Sequence, residues 1–96
     1  MDAPTLDRPL IRRHLAEVEK AWPIRFLGLV PAEVMTSPRA HGRINLLADA
    51  DPKVSLFDLL GIESDLSEGL GREVAIVPTD SELGRNPDLV AATVPV

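Results

Sequence analysis

The chain has 96 residues, 45% of them hydrophobic and 26% charged, with a net charge of −5 and no cysteine. This length allows one buried core, over residues 1–96, and is too short for two; the composition excludes a largely disordered chain, and the missing thiols exclude disulfides and thiolate metal sites. The acidic balance argues against direct nucleic-acid binding, which depends on Lys and Arg neutralising phosphate. No apolar run approaches the roughly 18 to 20 residues that span a bilayer, so no membrane contact is expected. With no signal-peptide-like apolar stretch at the N-terminus, the expected compartment is the cytoplasm.

The aromatic residues are Trp22, Phe26 and Phe57, so Leu, Val, Ile and Ala must build the core. A core of that kind is modest, and a partner that binds the folded state would add to its stability. Charge is unevenly placed: residues 1–43 carry seven Lys/Arg against five Asp/Glu, and residues 44–96 carry three against ten. The acidic half is read either as a solvated face or as a surface steering the chain towards a basic partner.

In chain order, Leu6, Leu10, Ile11, Leu15, Val18 and Trp22 recur at helical spacing, with Arg12, Arg13, Glu17 and Glu19 between them. Thr5 or Asp7 can cap this helix, Pro9 suits its first turn and Pro23 ends it. Ile24 to Val30 reads as a strand with Ile24, Phe26, Gly28 and Val30 on one face. Pro31 to Ala40 should hold a short helical turn and a loop. Arg43 to Ala48 is a second strand, with Ile44, Leu46 and Ala48 on one face and Arg43, Asn45 and Leu47 on the other. Ser55 and Asp58 form a capping pair for a helix with Leu56, Leu59, Leu60, Leu66 and Leu70 as its apolar face, ended by Gly69 and Gly71. Glu73 to Val77 is a third strand, stopped by Pro78. A tail over 79–96 holds a possible short helix near Ser81, then Asn86-Pro87 and an apolar stretch from Leu89 to Val96. The order predicts an α/β fold, a short mixed sheet flanked by helices, with strand three parallel to strand two.

The segment Val30 to Asp49, VPAEVMTSPRAHGRINLLAD, resembles the signature of the minimal nucleotidyltransferases of the DNA polymerase beta superfamily. In that family a strand ends in Gly-Ser, continues as x-Ala-Arg-Gly and, after a loop, reaches Ser-Asp-Ile-Asp-Leu-Leu. Ser55 to Val77, SLFDLLGIESDLSEGLGREVAIV, is similar to the family's Leu-rich helix and following Leu-Gly-Arg-x-Val-Asp-Leu-Val strand. The resemblance covers about residues 6–78 and implies a small nucleotidyltransferase-like sandwich.

The chain departs from the family at the positions that carry chemistry. Pro31 and Ala32 stand at the Gly-Ser turn, Met35 and Thr36 at the Arg-Gly pair, Arg43 and Asn45 at the paired aspartates, and Ala75 at the third carboxylate. Family enzymes use clustered carboxylates to hold divalent ions that align a nucleotide triphosphate with its acceptor. A cation and a neutral amide on the same strand face repel such an ion, and Pro31 has no N–H to offer a phosphate. The resemblance therefore implies a pseudoenzyme with no metal or cofactor. A competing motif is Asp49-Ala50-Asp51, a weak metal-binding alternative whose other reading is a solvated turn before Pro52. His14 and His41, without a second His or a Cys beside them, read as a packed and a loop histidine. Ser55 has no orienting group that would make it a nucleophile.

Small proteins of this family are often antitoxins paired with a helical ribonuclease toxin of the HEPN kind. The implied function is neutralisation of such a toxin by occupancy, without transfer of AMP. Arg43, Leu89, Val90 and Val94 are candidate partner contacts; for the tail, a strap or edge strand packed on its own domain is the competing reading. A homo-oligomer is also compatible with the sequence. The alternative function is a nucleotide-binding or regulatory subunit of an active nucleotidyltransferase, with Arg43 meeting phosphate.

Overall fold

Asp7 opens the first helix by accepting a hydrogen bond from the Leu10 amide at 3.1 Å, and Pro9 lies in the first turn that follows. This helix, α1 (Arg8–Ala21), belongs to a computed structural model that describes residues 7–96. Thr5, the other expected cap, and Leu6 lie outside the described residues. Ile11 and Leu15 are buried on one stripe, while Trp22 has left the helix with extended backbone and is exposed. The residue before Pro23 is pushed out of the helical region, which takes Trp22 off the stripe expected for it.

Strand β1 (Ile24–Leu29) pairs antiparallel with β2 (Ile44–Ala50), and β2 pairs in parallel with β3 (Val74–Pro78), giving a three-stranded mixed sheet in the order β1-β2-β3. Between β2 and β3 runs α2 (Leu56–Leu70), the crossover helix that a parallel pair requires. Its N-terminus carries the expected capping box, with Ser55 and Asp58 bonding reciprocally, and Gly71 ends it at φ 66°. A six-residue helix, α3 (Pro87–Ala92), follows, capped by Asn86. The expected helix near Ser81 is instead a set of hydrogen-bonded turns, with the Ser81 hydroxyl bonded to the Pro78 carbonyl and the Gly84 amide.

The fold is thus a small α/β sandwich. On one face of the sheet, Ile11 and Leu15 of α1 and Leu59, Ile62 and Leu66 of α2 pack against Ile24, Phe26, Leu29, Ile44, Leu46 and Ala48. On the other, Val30, Leu47 and Val77 meet Leu89 of α3, with Val34, Met35 and Leu83 at the margin. The alternation expected along β2 holds.

Two expectations fail. In β1 the pairing slips between Phe26 and Gly28, so Leu27 is an extra residue, and from there each side chain changes face. Leu29, not Gly28 and Val30, joins Ile24 and Phe26, and Val30 turns to the opposite core. In α2 the buried stripe is Leu59, Ile62 and Leu66, whereas Leu56, Phe57 and Leu60 are 73%, 86% and 54% exposed. A helix buries one stripe against one sheet, and the apolar residues of α2 are spread over two.

Both free edges of the sheet are closed. Along β3 the N–H positions pointing away from β2 are Val74, Ile76 and Pro78. Val74 donates to the Ser67 hydroxyl at 2.9 Å, Ile76 to the Glu63 carboxylate at 2.6 Å, and Pro78 has no N–H. Glu63 and Ser67, one turn apart on α2, thereby occupy the outward N–H groups of this edge. Along β1 the Phe26 amide donates to Glu19 of α1 at 2.9 Å, and Leu29 exchanges two backbone bonds with Val94 at 2.7 and 2.9 Å. The close pass of this tail needs Gly28, where a Cβ would stand 2.3 Å from the Val94 carbonyl oxygen.

Candidate functional site

Most of the positions where the chain departs from the nucleotidyltransferase signature converge at one end of the sheet. Two 3-10 turns, Ala32–Val34 and Pro38–Gly42, connect β1 to β2 there. Pro31, Ala32, Arg43 and Asn45 line one cleft of about 280 Å³, together with Arg8, His41 and Glu33. Met35 and Ala75 line a neighbouring cleft of about 510 Å³, and Arg43 belongs to both. Ala75 is the register partner of Asn45 across the β2–β3 pair, so these two share a face. Thr36 is not brought in; it lies towards Glu82, Leu83 and Asn86.

Asn45 is 3% exposed, the one buried polar side chain among the described residues, and its hydrogen bonds explain how it is tolerated. Its amide nitrogen donates to the Ala40 carbonyl at 3.0 Å and the Arg43 carbonyl at 3.4 Å, while its oxygen accepts from Arg43 Nε at 3.0 Å. The side chain ties the second 3-10 turn to β2, and no donor on it is left over. The Arg43 side chain, 17% exposed, also faces Glu73 at 3.7 Å, and Arg39 meets the same carboxylate at 3.2 Å. Two guanidinium groups share one carboxylate, and Arg8 and His41 add cationic or titratable groups nearby. The charges here are thus mixed and paired: Glu73 meets both arginines, and Glu33 lines the cleft beside Arg8 and Arg43. Where a divalent ion needs oxygen ligands, Arg43 supplies a cation and the Asn45 oxygen is already bonded to Arg43.

The turn that the sequence resemblance aligns with a phosphate cradle is equally plain. Pro31 precedes Ala32–Val34 with no side-chain capping bond, and its carbonyl accepts from Val34. Asp49 and Asp51 lie at the opposite end of β2, both exposed. Asp49 accepts from the Thr79 hydroxyl at 3.3 Å, and Asp51 accepts from the Lys53 amide at 2.9 Å in a turn. No group of three or more His, Asp or Glu side chains gathers with metal-binding geometry among the described residues. His14 is half-buried over Gly69 of α2, where an added Cβ would stand 2.8 Å from its ring.

Of the tail residues expected to meet a partner, Leu89 is fully buried beneath α3 in the core of its own domain. It is not available as a surface anchor, because the only space it fills is between α3 and the sheet. Val94 bridges Leu29 through its backbone, so this section of the tail is a strap, while the Val94 and Val90 side chains are 38% and 46% exposed. Among the described residues, the most exposed large apolar side chains are Leu56, Phe57 and Leu60 of α2, and of these the pattern reading had assigned Leu56 and Leu60 to the helix's apolar face. The available signal was the spacing itself, since Leu56 and Leu60 project away from the stripe of Leu59, Ile62 and Leu66. Arg39 and Glu73 were also missed, because 34 residues of sequence separate partners that the β2–β3 register brings together.

No helix among the described residues is long and apolar enough to cross a membrane. Comparisons with family models, curated proteins and solved structures return no match. The α/β architecture is shown by the fold itself, and the resemblance to nucleotidyltransferases is an expectation from the two sequence segments quoted above.

Proposed function

We propose that this chain is a non-catalytic, nucleotidyltransferase-like binding protein that acts as an antitoxin, neutralising a helical HEPN-type ribonuclease toxin in the cytoplasm by covering it. The observation that carries the non-catalytic part is the Arg43–Asn45–Glu73 cluster. Where the resemblance aligns three carboxylates, the chain has Arg43, Asn45 and Ala75, and the first two are bonded to each other and to Glu73 or the local backbone. Arg43, Asn45 and Ala75 offer a magnesium ion no carboxylate at these three positions, which supports a chain without metal-assisted transfer from a nucleotide. Neutralisation by occupancy asks only for a complementary surface. The toxin's identity is carried by the family context of the resemblance.

The test is a tagged pull-down from the source cell with mass spectrometry of the bound proteins and a toxicity assay of each alone. A stoichiometric, toxic, helical partner of unchanged mass is the expected result. A partner returning with added nucleotide mass, or label transfer that Asp49→Asn abolishes, overturns it. One observation favours a second reading, a nucleotide-binding regulatory subunit: Arg8, His41 and Arg43 line the same cleft. That reading requires thermal stabilisation by nucleotides without magnesium.

A further inference from the structure

The exposed face of α2 combines three features that the folding of this chain does not use. At its N-terminal end stand Leu56, Phe57 and Leu60, 73%, 86% and 54% exposed. Next along the same face comes Gly61, whose added Cβ would meet nothing within 4 Å and whose φ is not positive. A glycine inside a helix costs roughly 1 kcal/mol relative to alanine, and neither packing nor backbone geometry in this domain asks for it. About one and two turns further stand Asp65 and Glu68, exposed, with no ion pair among the described residues. The helix Leu56–Leu70 contains no Lys or Arg at all.

We propose that this face is the docking site for one amphipathic helix of a protein partner, apolar at one end and cationic towards the other. The proposal rests on the partner-binding reading and adds the place and the chemistry. Phe57 and its two leucines are the apolar anchors, Gly61 lets the partner's backbone approach, and Asp65 and Glu68 meet its Lys or Arg. Area decides that the acidic end takes part. Three side chains of this class expose on the order of 400 Å² together, about half of what one partner contributes to a standard interface. The rest must come from the neighbouring polar face, which is acidic.

Charge then decides against the other occupants. A second copy laid antiparallel on α2 sets Asp65 and Glu68 over apolar side chains, and laid parallel it sets them against themselves. Neither arrangement sets a cation of the helix itself against them. Anionic lipid and nucleic acid meet the same repulsion. Strand addition is closed off by Glu63, Ser67 and Pro78 on one edge and by Glu19 and Val94 on the other.

The test uses the isotope-labelled full chain and two synthetic peptides of about four helical turns, one presenting on a single face Leu in one half and Lys in the other, and one with the same composition scrambled. The expected result is amide shifts confined to α2 and its neighbours with the first peptide. Phe57→Glu and Leu60→Glu each weaken that binding at least tenfold, and Asp65→Lys combined with Glu68→Lys weakens it several-fold and removes its salt dependence. All of these side chains are exposed, so unchanged amide spectra of the free variants report intact folding. Equal binding of the scrambled peptide, shifts centred on Arg43, or a dimer in sedimentation that Phe57→Glu dissociates would overturn the proposal. Its failure is separable from that of the antitoxin reading. If a toxic partner is captured equally by the native chain and by Phe57→Glu, only the docking site is wrong. If the peptide docks on α2 and no toxic partner exists, only the antitoxin reading is wrong.

Discussion

Gly61→Ala should raise the stability of this domain. The position lies in the interior of α2, is exposed, and has open space where the new methyl would go. The change therefore reduces the freedom of the unfolded chain without disturbing the folded one, a gain of about 0.5–1 kcal/mol. For a domain of this size each kcal/mol moves the melting temperature by roughly 4–8 °C, so a rise of about 2–8 °C is expected. The check is thermal unfolding together with urea titration, in which the midpoint rises while the slope stays constant. Gly71→Ala supplies the opposite sign, because at φ 66° a Cβ meets the following carbonyl, and a loss of about 1–2 kcal/mol follows. A Gly61→Ala protein with an unchanged or lowered midpoint would refute the reasoning, since it would mean that something already fills the space above the helix. Should the substitution stabilise the free chain and weaken amphipathic peptide binding together, the glycine is held there by a partner.

Leu89→Ala is expected to lose about 2–5 kcal/mol in urea unfolding, as a buried leucine does when truncated; a loss below 1 kcal/mol would return this residue to the surface role first expected for it. Asn45→Leu deprives the Ala40 carbonyl and the Arg43 guanidinium of their partner and should cost about 1–3 kcal/mol. Urea titration against the Arg43→Ala/Asn45→Leu double variant reads their coupling, and simple additivity would deny the tie. Glu63→Ala uncovers the Ile76 amide on the edge of β3, so light scattering should show concentration-dependent association that the native chain lacks.

Much of the fold was legible in the sequence because the signals are local. Asp7 with Pro9, Ser55 with Asp58, and Gly71 each satisfy or end a helix through groups a few residues away, and the structure has all three in use. The alternation of Ile44 to Ala48 reads correctly for the same reason, as a period of two belongs to the strand itself. The juxtaposition of Arg43 with Asn45 was legible too, being two residues on one strand.

What only the tertiary structure decided depends on which surfaces meet. The extra residue at Leu27 inverted the end of β1 because a bulge arises from pairing with β2 and leaves no mark in the hydrophobic pattern. The leucines of α2 could be ranked only once the sheet had taken Leu59, Ile62 and Leu66, leaving Leu56, Phe57 and Leu60 outside. Leu89 moved from expected anchor to core because α3 folds back over Leu47 and Val77. The Arg39–Glu73–Arg43 cluster likewise depends on a parallel register between strands that the chain order separates by a whole helix. The sequence by itself determined α1, α2 and the three strands to within a residue or two of their ends, since those choices are settled within a few residues of backbone, whereas α3 formed where only an apolar stretch was expected. Which apolar face is buried and which is left to meet another molecule was decided by competition for one small sheet, and that competition exists only in three dimensions.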